Sequence, residues 1–485
     1  MPDFAIALIF GIATALSRVP FVANRLWEWD SVLYARALEQ GFHVDDVLAW
    51  SRPHPPGYVF YVASAAIGKA LGLDSDHALV LVSVVASGAA AAALYLLCRR
   101  FADRALSALL TAAFAADPLL WLHGEVAMPY IVLAPITTSL AYGFLSARGG
   151  SRRRIAAVSF LFGALAGFRQ DLLLFLFPLW LWTLAPAPWR ARLAAALALG
   201  LGCVLWFVPS AALSDGPSEY VARTVRQFAG LAGVSGNAGR AIEINLVLVG
   251  GSLWWALLLL ALPLAVLGLA RAMASARGTA EPASPRGAAT FFALWLTPPL
   301  LFYVLVHIGE WGFVLSLVPG CYVALAWLLQ PLAASASARV RAAGALVIAA
   351  NAVLGAALFV FGADPVFSAA SLEAHDRATD AKTAFIRTAL PRESTVVLAA
   401  AELLVARYYL PDRVVLYSDN SATVSYQYAV RTPATIAIYE PRAWPRGVSP
   451  DRVVTVADAS TTIELASMPA GVLRLPGIDV DAGGR

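Results

Sequence analysis

The stretch ALVLVSVVASGAAAAALYLL, residues 78–97, contains no charged side chain. A second uncharged block, LVLVGGSLWWALLLLALPLAVLGLA, occupies residues 246–270. A run of about 20 apolar residues forms a helix long enough to cross the hydrocarbon core of a bilayer. We therefore predict that these blocks are transmembrane helices and not core helices of a soluble domain.

The composition of the whole chain agrees with these two blocks. Of the 485 residues, 60% are hydrophobic and 14% are charged, whereas soluble domains are roughly half apolar and a quarter charged. A soluble globular fold is therefore excluded. The net charge of +4 comes from arginines in short loops between apolar blocks, as membrane topology requires, so no nucleic-acid partner is predicted.

The apolar blocks together predict about eleven transmembrane helices. The first is predicted to be a retained span and not a signal peptide, because Asp3 stands where a basic residue is expected and more spans follow. The spans are placed at residues 4–22, 77–98, 104–122, 126–146, 155–168, 172–186, 193–213, 244–270, 289–308, 312–332 and 342–362.

The orientation of the spans follows from the arginines. If the N-terminus is cytoplasmic, every inner loop is basic, as the positive-inside rule requires. These loops contain Arg99, Arg100 and Arg104; Arg148 and residues 152–154; Arg190 and Arg192; Arg271, Arg277 and Arg286; and Arg339 and Arg341. Residues 57–73 decide this topology, because a full span there would invert the predicted orientation of every later span. We interpret that short segment as an interfacial or re-entrant helix.

The character of the chain changes after residue 362. Runs rich in β-forming residues occupy 394–398, 413–417, 435–439 and 452–456, around a helical pattern at 401–410. Residues 363–485 are therefore predicted to form a small α/β domain on the outer side. Residues 1–362 would form the membrane domain, with a first outer loop at about 23–76.

That first outer loop is dense in polar and aromatic residues, with WEWDSVLY at 27–34 and RPHPPGY at 52–58. A carboxylate at the edge of a membrane can accept a proton from an attacking hydroxyl, and aromatic rings form walls suited to sugars and prenyl chains. The alternative is an ordinary interfacial belt with solvated acids.

These motifs resemble those of polytopic sugar transferases of the GT-C superfamily, relatives of the protein O-mannosyltransferases and the aminoarabinose lipid A transferase. The resemblance spans roughly residues 1–330. It is carried by Asp30 with Tyr34, by His54 to Tyr58, and more weakly by Gly124-Glu125, Gly167-Phe168-Arg169 with Pro178, and residues 307–319.

The resemblance implies an inverting transfer from a polyprenyl-phosphate sugar to a hydroxyl acceptor outside the cytoplasm, with Asp30 as general base. The lipid phosphate is a leaving group that needs no protonation, so the enzyme must deprotonate the acceptor and stabilise phosphate charge. Glu125, an acid at the boundary of a span, is a second catalytic candidate. Alternatively, it stabilises the N-terminus of the fourth span.

Four residues of these motifs are candidates for binding the donor phosphate and its lipid: Arg52, His54, Tyr58 and Arg169. Arginine suits this role because its planar fork matches a phosphate. The alternative for Arg169 is an ion pair with Asp171. Side chains two positions apart on a helix point away from each other, which disfavours the pair if the segment is helical.

His307, Glu310 and Tyr34 are candidate contacts for the acceptor or the headgroup. His307 and Glu310 are three residues apart and could share a helix face, with an interfacial hydrogen bond as the alternative. A divalent metal ion, Mg²⁺ or Mn²⁺, is a further candidate, since some GT-C enzymes use one. Its possible ligands, His43, Asp45 and Asp46, match no specific metal motif.

Two other functions remain open on sequence alone: a transporter or flippase of lipid-linked sugars, and a non-catalytic subunit of glycan assembly. Transporters place polar residues at mid-membrane depth, whereas here they gather at the outer ends of spans. The chain contains neither a Walker-type loop nor a GxGxxG fingerprint after a strand, which disfavours an ATP-driven pump and a nucleotide-sugar enzyme. We predict a multi-pass protein of a bacterial inner membrane.

Overall fold

The computed structural model describes residues 1–45, 52–55, 57–233, 238–276, 287–445, 449–458 and 461–480. Residues 1–361 of this part are almost entirely helical. The helices are α1 Asp3–Arg18, α2 Trp29–Gln40, α3 Val59–Ala70, α4 Ser75–Cys98, α5 Arg104–Ala115, α6 Pro118–His123, α7 Leu133–Ala147, α8 Arg152–Leu165, α9 Asp171–Leu184, α10 Trp189–Ala212, α11 Pro217–Gly233, α12 Ala238–Leu257, α13 Ala261–Ala276, α14 Ala288–Leu305, α15 Val318–Ala333 and α16 Ala338–Phe361.

The polytopic helical fold predicted from the sequence is confirmed. Among the described residues, seven helical segments are long and apolar enough to cross a membrane: α1 with the turn after it, α4, α7 with the turn before it, α10, α12 continuing into α13, α14 and α16. Helices α3, α5, α9 and α15 are apolar but shorter. Each predicted span falls on helical structure, although the span at 104–122 is broken into α5 and α6 and the span at 244–270 covers parts of α12 and α13. The count of about eleven stays a prediction.

Helix α3 is the segment on which the predicted topology depended. Its 12 residues rise about 18 Å, well short of the roughly 30 Å hydrocarbon core. It begins after Tyr58, which adopts a left-handed conformation with φ of 49°. This backbone turn leads the chain from the first outer loop into α3, which packs against α4.

The two ends of the helical body differ in charge and in what covers them. At one end Asp3 forms ion pairs with Arg99 at 3.2 Å and Arg104 at 3.1 Å, so the N-terminus lies beside the basic α4–α5 loop. At the other end the Asp376 carboxylate accepts hydrogen bonds from the backbone N–H groups of Asn24, at 2.7 Å, and Arg25, at 3.1 Å. The C-terminal domain thus covers the end opposite the N-terminus.

Helices α8 and α10 approach each other more closely than any residue larger than glycine permits. A Cβ built on Gly163 would lie 2.1 Å from the Leu199 carbonyl oxygen, and one on Gly202 would lie 2.3 Å from the Phe160 carbonyl oxygen. Small residues at such crossings allow tight van der Waals packing in lipid, where no hydrophobic force drives helices together. Gly163 lies two residues before the end of α8 and hence close to the α8–α9 loop.

The C-terminal domain is the predicted small α/β unit. It comprises α17 Ala369–Ala389, α18 Leu403–Tyr409, β1 Thr395–Ala399, β2 Val414–Tyr417, β3 Ser425–Val430, β4 Ala434–Ile438, β5 Arg452–Thr455, β6 Thr462–Met468 and β7 Gly471–Pro476. Five strands form a mixed sheet in the order β2-β1-β4-β6-β5, with β1 parallel to β2 and β4. Strands β3 and β7 form an antiparallel pair.

Candidate active site

A cavity of about 450 Å³ opens at the end of the helical body that the C-terminal domain covers. Six residues singled out from the sequence line it: Asp30, His54, Tyr58, Arg169, His307 and Glu310. Its remaining wall is largely aromatic and includes Tyr130, Trp206, Phe207, Tyr220, Phe302 and Phe313. Charged and titratable groups from four separate segments of the chain thus meet an aromatic surface in one space.

Asp30 lies in the first turn of α2, where the backbone N–H of Glu28 donates to the Ser31 hydroxyl at 3.0 Å and fixes the start of the helix. The Asp30 carboxylate lies 3.3 Å from Nε2 of His54. Nδ1 of His54 lies 2.7 Å from the Pro55 carbonyl oxygen, which assigns its proton to a bond with the backbone. Burial opposes the charge on His54, but the Asp30 carboxylate outweighs it and raises the pKa of the imidazole.

Glu28 and Glu310 form a hydrogen-bonded carboxyl pair beside Asp30. Burial and the neighbouring Glu310 carboxyl raise the pKa of Glu28, and burial raises the pKa of Glu310. Like charges close together disfavour ionisation, which agrees with the raised pKa of both carboxyls. Glu28 was not among the predicted site residues, although it stands two residues before Asp30.

Arg169 lies in the loop between α8 and α9, and its Nε forms an ion pair with Asp171 at 2.9 Å. The sequence argument against this pair held only for a helical segment, and it does not apply because α9 begins at Asp171. The guanidinium carbon lies 3.9 Å from the centre of the Phe313 ring. Nη1 of Arg169 is buried and has no hydrogen-bond partner.

The two residues after Arg169 also have buried polar atoms without a hydrogen-bond partner. Both amide atoms of Gln170 are buried without a hydrogen-bond partner, and so is Oδ1 of Asp171. Since buried polar groups are normally paired, a cluster of unpaired donors and acceptors on one cavity wall indicates a polar ligand. Gln170 and Asp171 were missed as site residues from sequence, and only their position beside Arg169 could have suggested them.

His307 and Glu310 both reach the cavity, but not from a common helix face as the sequence spacing suggested. Helix α14 ends at Leu305, and the two residues lie in the irregular segment before the turn Trp311–Ser316. Burial and the Arg169 charge lower the pKa of His307. His307 and the Arg169 guanidinium line the same cavity.

Tyr34 and Arg52, two further predicted site residues, do not line the cavity. Tyr34 is 1% exposed and packs edge to face against Tyr58 and Tyr61, so it supports the wall from behind. Arg52 is solvent-exposed outside the cavity. The described residues of this turn that line the cavity are His54, Pro55 and Tyr58, and Arg52 is not among them.

Glu125 also lies outside the cavity wall, fully buried in a separate charged group of the helical body. It couples electrostatically to Arg18, which donates to the Ala115 carbonyl at 2.6 Å and stacks 4.3 Å over Trp121. Burial raises the pKa of Glu125 well above its usual range. Glu125 does not line the cavity, so nothing in the cavity supports its predicted catalytic role.

The candidate metal ligands occupy another part of the outer loop. Nε2 of His43 lies 3.4 Å from Asp215, and the Val44 carbonyl next to it accepts a hydrogen bond from Arg223. Asp46 lies outside the described residues. In the described parts of the chain no three His, Cys, Asp or Glu side chains converge on one point. The predicted Mg²⁺ or Mn²⁺ ion stays a prediction, because Asp46, one of its three candidate ligands, is not among these residues.

The part of the cavity wall that α10 and α11 form was also not predicted from the sequence. Trp206 and Phe207 lie in the last two turns of α10, and Tyr220 lies in the amphipathic helix α11, three residues after Pro217. The apolar stripe of such a helix signals packing against the membrane body. That stripe is the sequence feature from which the wall could have been predicted.

A membrane body of helices with a cavity beneath a small water-facing domain defines the class: the chain has the GT-C fold, as the resemblance predicted. The structure is similar to that of ArnT from Cupriavidus metallidurans bound to undecaprenyl phosphate, with a TM-score of 0.58, 14% sequence identity, and coverage of 95% of this chain and 97% of that chain. The apo state of the same protein gives a TM-score of 0.55 and 15% identity over the same shares.

More distant is the apo form of the Archaeoglobus fulgidus oligosaccharyltransferase, with a TM-score of 0.49 and 15% identity over 85% of this chain and 64% of that chain. This similarity is too low to carry an argument. No protein-family model matches the sequence, and no curated protein matches it. At these identities the solved structures establish the fold alone.

Proposed function

We propose that this protein is a membrane glycosyltransferase that moves a sugar from a polyprenyl-phosphate donor to a hydroxyl acceptor, with inversion at the anomeric carbon. The observation that carries the proposal is that two charged groups line one cavity. Asp30 has its carboxylate beside His54, and Arg169 has a buried guanidinium whose Nη1 lacks a hydrogen-bond partner.

Asp30 is the proposed general base. The acceptor oxygen forms a bond to the anomeric carbon, its proton passes to the Asp30 carboxylate, and the bond from that carbon to the phosphate oxygen breaks. The electron pair leaves on the lipid phosphate. Nε2 of His54, 3.3 Å from the Asp30 carboxylate, orients that carboxylate for this step.

Arg169 is the proposed partner of the leaving phosphate. Its Nε is already committed to Asp171, so the guanidinium is oriented before the donor binds and Nη1 can donate to a phosphate oxygen. Preorganised charge of this kind stabilises negative charge as it develops. The aromatic wall suits a prenyl chain, and the similar ArnT structure was solved bound to undecaprenyl phosphate.

The site is proposed to face the outer side of the inner membrane, with the N-terminus cytoplasmic and the C-terminal domain extracytoplasmic. Asp3 lies among the arginines of the α4–α5 loop, and the cavity lies at the opposite end. Basic loops stay in the cytoplasm, so the cavity end is outside. Residues 1–362 would then act as the catalytic domain and residues 363–485 as its outer cover.

The test is sugar transfer from a radiolabelled polyprenyl-phosphate sugar in purified membranes, comparing wild type with Asp30→Asn. Loss of a general base lowers rates by about 10² to 10⁴. Asp74→Asn is the matched control, because Asp74 also holds a histidine, His77 at 2.7 Å, but lies outside the cavity. Unchanged transfer by Asp30→Asn would refute its role. Lipid movement across proteoliposomes without any transfer would instead favour a flippase.

A further inference from the structure

Part of the transfer cavity is lined by polar side chains without a charge, and the proposed reaction leaves them unused. Tyr220, Thr224 and Gln227 of α11 line the cavity, and their spacing of four and three residues places them on one face of the helix. Gln170 of the α8–α9 loop lines the same cavity. These groups can form hydrogen bonds with a ligand, whereas the groups assigned to proton transfer and phosphate binding are charged.

Helix α11 is held in place by the first outer loop and by α10. Arg223 donates to the Val44 carbonyl and forms an ion pair with Asp215 at 2.8 Å. The Tyr220 ring packs edge to face against Phe207, with 5.8 Å between the ring centres. The face of α11 that lines the cavity is therefore fixed relative to the loop that carries Asp30.

The two glutamines of the cavity wall have polar atoms that await a partner. Among the described residues, Oε1 of Gln227 and both amide atoms of Gln170 have no hydrogen-bond partner, although they are buried. Buried polar groups are normally paired. The terminal torsion of a glutamine is soft, so the Gln170 amide can rotate toward the cavity without breaking a hydrogen bond. A ligand with hydroxyl groups would satisfy these atoms.

The position of the glutamines suits the sugar end of the donor. The lipid phosphate is assigned to Arg169, which precedes Gln170 in the chain, and the donor sugar is bonded directly to that phosphate. A sugar hydroxyl both donates and accepts a hydrogen bond, as an amide group does. The Tyr220 ring, on the same helix face as Gln227, offers a surface for the apolar side of a sugar ring.

We propose that Gln170 and Gln227 bind ring hydroxyls of the donor sugar and so make the site selective for a sugar that presents them. This inference rests on the proposed function, because it requires a polyprenyl-phosphate sugar in the cavity. A site built to pair a hydroxyl discriminates against a ligand that lacks it, since the buried amide then stays unpaired. The two glutamines are specificity-determining residues and take no part in proton transfer.

The test compares two kinds of lipid on the full-length protein in detergent, by tryptophan fluorescence. One is bare undecaprenyl phosphate, and the other carries glucose, mannose or galactose. The measured quantity is the selectivity ratio, the Kd of the bare lipid divided by that of the best sugar-bearing lipid. We expect a wild-type ratio of roughly ten or more, because two neutral hydrogen bonds change affinity by about that factor.

Methionine keeps the length of glutamine but forms no comparable hydrogen bond. Gln170→Met and Gln227→Met should each lower the selectivity ratio about threefold or more, and the double variant should bring it near one. The Kd of the bare lipid should change less than about threefold, because the sugar is absent. Gln40→Met is the matched control, since Gln40 is an exposed glutamine in the last turn of α2 and lies outside the cavity.

A wild-type ratio near one for all three sugars would overturn the proposal, and so would an unchanged ratio in the double variant. Loss of bare-lipid binding in both single variants would also overturn it, because the glutamines would then act on the phosphate or on folding. If one variant alone loses bare-lipid binding, the other decides. Failure of the proposed function gives a different result: the wild type binds none of the lipids and transfers no sugar.

Discussion

Arg169→Lys tests the donor-binding role of the cavity most directly. The arginine makes two contacts that position it: the ion pair to Asp171 at 2.9 Å and the stacking over Phe313 at 3.9 Å. Nη1 then remains for the phosphate. A lysine has a single ammonium, which must serve either Asp171 or the phosphate, so the variant keeps its charge but loses one charge-assisted hydrogen bond.

Such a bond contributes about 1.5 to 3 kcal/mol, and each 1.4 kcal/mol or so is a factor of ten in affinity. We therefore expect the Kd for undecaprenyl phosphate, used as the probe, to rise by roughly 10- to 100-fold. Binding is measured by titrating the lipid into the purified protein in detergent and following tryptophan fluorescence. Trp206 in the cavity wall provides the signal.

Arg148→Lys is the matched control. Its guanidinium also lies 3.9 Å from the centre of an aromatic ring, that of Trp182, but it lies outside the cavity. We expect this variant to bind the lipid as wild type does. If Arg169→Lys also retained wild-type affinity while both proteins stayed folded, the phosphate would bind elsewhere and the reasoning from the unpartnered Nη1 would fail.

Three further outcomes follow from contacts described above. Burial and Glu310 raise the pKa of Glu28. The folded protein therefore keeps a proton that the unfolded chain releases above pH 4.5 or so. The free energy of unfolding falls as the pH rises from that value. Glu28→Gln should flatten this dependence, measured as thermal midpoints at pH 5 and pH 8; parallel slopes would contradict it. Gly163→Ala should lower the thermal midpoint by several degrees through overpacking, whereas Gly200→Ala, with open space around it, should not. Tyr34→Phe should keep transfer within about threefold, because its ring and not its hydroxyl supports the wall; a loss beyond tenfold would restore a direct role.

The membrane fold was predictable because a span is a local property of the sequence. Residues 78–97 and 246–270 are each apolar over the length that a bilayer requires, whatever their neighbours. The strands β1, β2, β4 and β5 were predicted for the same reason, as short runs of β-branched residues. Strands β3, β6 and β7 were missed, since SYQYAV, TIELASM and GVLRLP contain a smaller share of β-branched residues than the predicted strands.

The site was partly predictable because its charged residues are rare in so apolar a chain. Asp30, His54 and Arg169 could be selected one by one, but their mutual distances depend on how α2, the 52–58 turn and the α8–α9 loop pack together. The Arg169–Asp171 pair shows the limit most clearly. Its geometry depends on where α9 begins, and helix ends are the least certain part of any sequence prediction.

The contact between Asp376 and the backbone of Asn24 joins residues that lie 352 positions apart in the chain. During synthesis the first outer loop leaves the ribosome long before its partner exists. At about 5 to 20 residues per second, the delay is roughly 20 to 70 s. For that time the loop carrying Asp30 lacks its cover, so we expect the completed cavity to be among the last parts of the nascent protein to form.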